Sequence, residues 1–125
     1  MTGSGNLHAN GFDTQEELSL TLTGSGNLNV DNGANNLNAK LSGSGNINVS
    51  GKANQGSFVV TGSGKIRGKN LVTSGADAKI TGSGGIIIAC NDQLNANITG
   101  SGNIDVYGKP NIKSRVTGSG RVNEY

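Results

Sequence analysis

Aromatic residues are scarce in this sequence, which has two Tyr, two Phe and no Trp among 125 residues and only 32% hydrophobic residues. These proportions are low for a globular domain built around one thick core. Tyr107 and Tyr125 are also too few for the aromatic platform on which proteins bind sugars or single-stranded nucleic acid. We therefore expect a thin or repetitive core.

Disulfides, strong charge and long apolar runs are missing as well. Cys90 is the single cysteine, which excludes an intrachain disulfide. The net charge of +2 comes from intermixed acidic and basic residues, whereas nucleic-acid-binding and membrane-surface proteins carry a basic face. The first residues show no signal-peptide pattern, and no apolar run reaches the roughly 18 residues of a membrane span. We expect neither a nucleic-acid partner nor a transmembrane segment.

Glycine, in contrast, is abundant, and much of it lies in a repeated tripeptide. Gly-Ser-Gly begins at residues 3, 24, 43, 62, 82, 100 and 118, at spacings of 18 to 21 residues. Self-similarity at a period near 20 is typical of a solenoid, in which each coil buries its apolar side chains against the next coil.

Apolar and polar residues alternate on both sides of each tripeptide, which is the period of a β-strand. The inward positions include the residue two before the tripeptide and the residue four after its first glycine, which are Leu22, Leu41, Val60, Ile80, Ile98 and Val116, and Leu28, Ile47, Ile66, Ile86, Ile104 and Val122. Val59 and Ile87 are apolar exceptions in the outward set. We predict an all-β, single-stranded, right-handed parallel β-helix with about six to seven coils of 18–21 residues, forming one domain over residues 1–125.

The repeated glycines are expected to form the structural corners of the coils. Glycine inside a strand costs about 0.5–1 kcal/mol relative to alanine, so its presence in every coil indicates that a Cβ is excluded there. Both glycines of a triplet lie an even number of residues from the inward apolar positions, so both are expected to face inward. We attribute the exclusion of a Cβ to the opposite wall of the coil or to a positive φ. The predicted corner glycines are Gly24, Gly26, Gly43, Gly45, Gly62, Gly64, Gly82, Gly84, Gly100, Gly102, Gly118 and Gly120.

No motif indicates a cofactor or a metal. The segment Gly62–Ile66 resembles a phosphate-binding loop, but a Walker loop needs glycine where Val59 stands and Ser or Thr where Ile66 stands. Calcium-binding nonapeptide repeats need Asp at fixed places in every nine residues, whereas Asp105 aligns with Asn29, Asn48 and Arg67.

Catalytic groups are also not apparent, so we predict that the chain is not an enzyme. Some β-helices cleave acidic polysaccharides with clustered carboxylates. The acidic residues here are spread over different positions of the coil, and His8 stands by itself near one end: the acids are Asp13, Glu16, Glu17, Asp31, Asp77, Asp92, Asp105 and Glu124. Cys90 shares the inward parity of Ile86 and Ile88, which predicts a buried small side chain and not a nucleophile.

Outward polar residues form the candidate functional surface. They recur at the same places around each tripeptide, where stacked coils would bring them together as ladders. Such ladders can be purely structural, because they hydrogen-bond along the stack. Regular Thr and Ser rows can also order water, as in ice-binding solenoids. The candidate ladder comprises Thr23, Ser25, Asn27, Ser42, Ser44, Asn46, Thr99, Ser101 and Asn103.

The sequence resembles the family described as putative auto-transporter adhesin, head GIN domain. Its members share the recurring step S/T-G-S-G-[ND]-[IV] and the run L-x-A-x-I-x-G-S-G-x-I-x-V-x-G-x-P, which is found in this chain from Leu94 to Pro110. The resemblance covers essentially all 125 residues, with departures at Gly85 and Ile87 and without the further N-terminal segment that family domains usually have.

The resemblance implies a right-handed β-helix that is exported to the periplasm or the cell surface of bacteria, and it brings no catalytic residues. We expect a non-catalytic, adhesin-like module of the cell envelope whose partner is an envelope glycan or a surface protein. One alternative is a self-assembling scaffold like the bactofilin β-helices, with self-association through the N-terminal edge. An ice-binding solenoid and a polysaccharide-acting enzyme are the remaining alternatives.

Overall fold

The computed structural model describes residues 5–10, 17–31, 34–108 and 111–124. Ten β-strands account for most of them: β1 (Asn6–Asn10), β2 (Glu17–Gly24), β3 (Asn27–Asp31), β4 (Ala34–Gly43), β5 (Asn46–Gly62), β6 (Lys65–Gly82), β7 (Gly85–Gly100), β8 (Asn103–Tyr107), β9 (Asn111–Thr117) and β10 (Arg121–Glu124). The strands pair in parallel within one sheet. Within these ranges, no helix is long and apolar enough to cross a membrane.

The strands wind into a parallel β-solenoid of about five turns. Strands that follow a Gly-Ser-Gly triplet stack in the order β1-β3-β5-β6-β7-β8-β10 and form what we call the post-corner face. Strands that precede a triplet, from β2 and β4 through the ends of β5, β6 and β7 to β9, form the pre-corner face. The predicted β-solenoid is confirmed. The predicted six to seven coils is slightly too many, because β10 begins a coil that the described chain does not complete.

The predicted inward columns form the core. Leu22, Leu41, Val60, Ile80 and Ile98 stack in register, and each is at most 1% exposed. Val116 belongs to the same column but is 39% exposed, because β9 has a paired neighbour on one side only. Burial between coils, and not burial within a coil, therefore stabilises the fold.

A large side chain in this core is accommodated by small neighbours. Phe58 is fully buried and pairs in register with Ala39 and Ala78 in the coils on either side. Two residues before it, a Cβ on Gly56 would lie 2.7 Å from the Phe58 ring. The ring thus occupies space that Gly56 and the two alanines leave open, which keeps the packing dense.

The third side of the coil is less regular. The register between β6 and β7 shifts between Gly68 and Val72 and again between Thr73 and Gly75. Thr73 is buried there, and its hydroxyl donates to the Ala89 carbonyl oxygen at 3.1 Å. Cys90 is fully buried, as predicted, and its thiol donates to the Gln93 carbonyl oxygen at 3.0 Å.

From Gly24 onward, the corners use the two glycines of a triplet in different ways. The first glycine has a positive φ, for example 109° at Gly43 and 111° at Gly62, and it is exposed or half-buried. The second glycine is buried in five triplets, and a Cβ on Gly45 would overlap the carbonyl oxygen of Gly26 and the Leu22 side chain. In the end coils, Gly120 is half-buried, and Gly5 is exposed with a φ of 146°. The expectation that both glycines face inward is therefore wrong for the first one, which is fixed by its φ and by close contact with the stacked backbone.

Candidate functional site: the outward polar ladders

A hydroxyl column runs along the end of the pre-corner face. Its residues occupy the position just before each triplet, and parallel pairing places each directly over the next at the strand spacing of about 4.8 Å. They are exposed except for the half-buried Ser42. The column consists of Thr23, Ser42, Thr61, Thr81, Thr99 and Thr117. Ser25, Ser44 and Ser101 follow within the corners and are exposed.

An asparagine ladder begins the post-corner face. The Asn27 side-chain amide donates to Asn6 Oδ1 at 3.1 Å, and the Asn46 amide donates to Asn27 Oδ1 at 3.2 Å. Two residues further along the strands, Asn48 donates to Asn29 at 2.8 Å. The amides are therefore held in fixed orientations by bonds between coils.

This ladder does not extend to Asn103. In the same column, Asn46 is followed by Lys65, then by Gly85, and only then by Asn103 and Arg121. The structure thus brings Asn27 and Asn46 together and places Asn103 three coils away from Asn46. Lys65 and Gly85 interrupt the row of amides.

Further hydrogen bonds between coils are made by Asn side chains that the sequence did not identify as candidates. Asn95 donates to Asp77 at 2.8 Å, Asn123 donates to Asp105 at 2.9 Å, and Asn38 donates to Glu17 at 2.7 Å. Asn54 also bonds to Asn35. The signal that could have found them is an Asn placed 18 to 21 residues after an acceptor, which is one turn of the solenoid.

A column of cations lies beside the hydroxyl column. Lys40, Lys79 and Arg115 occupy alternate coils, with Val59 and Asn97 between them. The half-buried Val59 thus lies between two lysines, whose aliphatic stems can cover it while the ammonium groups stay in water. The alternation of basic and uncharged residues keeps like charges about two strand spacings, or 10 Å, apart.

The acidic residues of the described chain do not form a cluster. Asp77 lies on the pre-corner face and Asp105 on the post-corner face, and each accepts a bond from an Asn of the following coil. Across residues 5–10, 17–31, 34–108 and 111–124, no three His, Cys, Asp or Glu side chains are grouped so as to hold a metal ion. Asp13, Glu16, Tyr125 and the side chains of His8 and Asp31 lie outside the described residues.

Comparison with known protein families shows to which family the chain is related. The model of the family described as putative auto-transporter adhesin, head GIN domain, matches residues 1–110. The chain belongs to this family. The family's description names an adhesin and no enzymatic activity. A comparison with curated proteins found no match.

Solved structures of similar proteins share the solenoid. A protein of Parabacteroides distasonis named a putative lipid binding protein is 35% identical, with a TM-score of 0.93 over 100% of this chain and 51% of its own. A putative adhesin of the same species is 29% identical, with a TM-score of 0.85 over 100% of this chain and 57% of its own. A putative adhesin of Parabacteroides merdae is 28% identical, with a TM-score of 0.68 over 98% of this chain and 57% of its own. The head GIN chain thus spans about half the length of these solved relatives.

Proposed function

We propose that this head GIN chain is a rigid, non-catalytic, adhesin-like module of the bacterial cell envelope, exposed to the periplasm or at the cell surface. It binds an envelope glycan or a surface protein through its polar faces. The observation that carries the proposal is the register of the outward columns, in which each coil from Thr23 to Thr117 repeats a hydroxyl group and the earlier coils also repeat an amide group.

Preorganised polar side chains favour binding to a polar partner. Asn27, Asn46 and Asn48 are already fixed by bonds between coils, so a partner does not have to order them. Binding then loses less conformational entropy than it would on mobile side chains. The hydroxyl and ammonium groups of the pre-corner face and the amide groups of the post-corner face can bond to the many hydroxyl groups of a glycan.

The arrangement of the acidic side chains supports a non-catalytic role. Acid–base catalysis at a glycosidic bond uses two carboxyl groups about 5–10 Å apart on either side of the bond. Asp77 and Asp105 lie on different faces, and each is engaged by an Asn amide. A polysaccharide-acting enzyme is therefore less well supported than a binding module.

Two other candidates have specific structural correlates. Ice binding would use the hydroxyl column, but the neighbouring outward column carries Lys40, Lys79 and Arg115 and so does not extend the hydroxyl array.

Self-assembly would use β1, which stands at one end of the sheet order. Strands in this position present unpaired backbone groups that can pair with another chain. Light scattering as a function of concentration tests this alternative, and a strictly monomeric protein at high concentration contradicts it.

Retention of the protein on isolated bacterial envelope material tests the proposed function. We expect wild-type protein to sediment with the envelope, and we expect the triple variant Thr61→Ala, Thr81→Ala, Thr99→Ala to sediment less. Periodate oxidation of the envelope, which destroys vicinal diols of glycans, should abolish retention for a glycan partner, and protease treatment should abolish it for a protein partner.

A matched variant on the third side of the coil controls for loss of surface polarity. Lys52, Ser74 and Asp92 are exposed there. The triple change of these residues to alanine should leave retention at the wild-type level. Absence of retention for wild-type protein, or equal retention of both triple variants, contradicts the proposed function.

A further inference from the structure

Gly85 is a glycine that the backbone does not require. A Cβ at this position would have only Asn103 O at 3.6 Å and Lys65 Cγ at 3.8 Å near it, which are ordinary van der Waals distances. Its φ lies outside the positive range found at the corner glycines Gly82 and Gly100. A side chain would therefore fit at residue 85, and the glycine leaves space unfilled.

That space is a depression in the post-corner face. The outward column that contains Gly85 carries Asn46 and Lys65 in the preceding coils and Asn103 and Arg121 in the following ones. The absence of a side chain at this one step opens a depression of about 270 Å³, which we call the Gly85 notch. It is lined by Lys65, Ser83, Gly85, Ile87, Asn103 and Asp105.

The floor of the Gly85 notch is apolar. Ile87 points outward two residues after Gly85 and is half-buried, whereas most outward positions in the solenoid are polar. In its column, Ile87 lies between Arg67 and Asp105. An accessible aliphatic side chain among polar groups is a feature of sites that bind ligands with one apolar side.

The walls of the notch carry groups of different charge on opposite sides. Lys65 stands in the preceding coil, and Asn103 and Asp105 stand in the following coil. The two walls are two strand spacings apart, or about 10 Å between Cα positions. Asp105 Oδ1 accepts a hydrogen bond from Asn123 at 2.9 Å, which orients its carboxylate.

From this geometry we propose that the Gly85 notch binds one carboxylated sugar residue, a hexuronate unit of an acidic glycan. The sugar carboxylate pairs with the Lys65 ammonium group, and sugar hydroxyl groups donate to the Asp105 carboxylate and bond to the Asn103 and Ser83 side chains. The C–H face of the pyranose ring lies on Ile87. This assignment rests on the proposed function and specifies its ligand class and its site.

Charge and size distinguish a uronate from other anions. A phosphate ester carries about two negative charges and would be repelled by Asp105, whereas a single carboxylate is balanced by Lys65 and leaves Asp105 free to accept hydroxyl hydrogens. Pockets for drug-sized ligands start at about 300 Å³, so the notch is suited to one sugar ring. A charge-assisted contact with a few hydrogen bonds on an open surface supports a Kd of about 1 mM.

Titration monitored by amide NMR tests the Gly85 notch directly. Short oligomers of galacturonate, glucuronate and mannuronate are added to the ¹⁵N-labelled chain up to about 10 mM, which is well above the expected Kd. At least one of them should shift the amide signals of residues 65, 83–87 and 103–105, and neutral galactose oligomers should bind at least about tenfold more weakly. Equal binding of the neutral oligomers, or no shift from any of the three uronates, overturns the proposal.

A variant that fills the Gly85 notch tests whether the sugar binds there. Gly85→Asn restores the side chain found at Asn46 and Asn103, and its Cβ has room, so the melting temperature should not fall. Uronate binding should weaken by at least about tenfold. Lys65→Gln should weaken it to a similar extent, whereas Lys52→Gln, on the third side of the coil, should not. Unchanged uronate binding in Gly85→Asn overturns the assignment.

The two proposals fail in different ways. If the protein is retained on bacterial envelope but uronates do not shift the notch residues, the envelope function stands and the notch assignment falls. If uronates bind at the notch but the protein is not retained on envelope, the notch assignment stands and the envelope function falls.

Discussion

The carbonyl oxygen of Gly24 lies 2.6 Å from the position that a Cβ on Gly43 would occupy. The same oxygen accepts main-chain hydrogen bonds from Ser44 at 3.2 Å and Gly45 at 3.1 Å. At the triplets, the backbone of one coil thus lies where a Cβ of the next coil would be, and the two backbones are bonded to each other. The repeated glycines are a consequence of this approach.

Substitution of a corner glycine should therefore destabilise the fold much more than substitution of the serine beside it. A non-glycine residue at the φ of Gly43 costs about 1–3 kcal/mol in backbone strain, and the overlap with Gly24 adds to this cost. Ser44 is exposed, so Ser44→Val should change stability by less than about 0.5 kcal/mol. Chemical denaturation of Gly43→Val and Ser44→Val measures the difference, and equal midpoints would contradict a steric requirement for glycine at the corners.

Phe58 and Gly56 should show coupled effects on stability. Phe58→Ala should cost about 3–5 kcal/mol, because the ring is fully buried. Gly56→Leu by itself should also destabilise, because its Cβ would meet the ring at 2.7 Å. The double variant should recover part of the loss, since the leucine occupies the space of the missing ring. A double-mutant cycle from denaturation curves checks this, and simple additivity would show that the two residues do not share one space.

The direction of the asparagine bonds predicts which residue can extend the ladder at position 65. In the pairs Asn27 to Asn6 and Asn46 to Asn27, the later coil donates to the earlier one. Lys65→Asn can donate to Asn46 in the same way and should stabilise the fold by about 0.2–1 kcal/mol. Lys65→Asp has no donor and should not stabilise it. Asn and Asp side chains are similar in size, so the melting temperature of Lys65→Asn should be higher than that of Lys65→Asp.

Cys90 should report opening of the whole solenoid. Its thiol is fully buried and bonded to the Gln93 carbonyl oxygen, so native protein should resist thiol reagents. Labelling should become fast only in denaturant, and its rate in native buffer should track the population of the unfolded state. Rapid labelling of native protein would indicate local opening of this side of the coil. The exposed third-side variant Asp92→Ala should leave the labelling rate unchanged.

Sequence reasoning was most successful where one rule applied to every coil. Alternation around the triplets predicted the buried columns of Leu22 and Ile47, because a side chain in a stacked strand can only face the core or the solvent. It failed at the first glycine of each triplet, because parity gives the direction of a side chain but not the φ of the backbone. Gly43 has inward parity and is nevertheless exposed.

The candidate site was predicted only in outline. The hydroxyl column followed directly from the repeat, since Thr23 and Ser42 occupy equivalent places. Asp77 and Asn95 also occupy equivalent places, five residues before a triplet, as Lys40 and Lys79 do three residues before one. The repeat therefore gives these columns, whereas the hydrogen bond from Asn95 to Asp77 is seen only in the structure. The sequence singled out Gly85 and Ile87 as departures from the family pattern, but only the structure shows that a side chain would fit at residue 85 and that its absence leaves a notch.

The asparagine bonds also make the two directions along the solenoid axis chemically distinct. Each amide in the ladder turns its N–H₂ group toward the N-terminal end and its oxygen toward the C-terminal end. Because these amide dipoles point in the same direction, they add up, and the asparagine ladder has a net dipole along the stack of coils. A polymer whose own two ends differ, as those of a glycan do, would therefore bind along this surface with one preferred orientation.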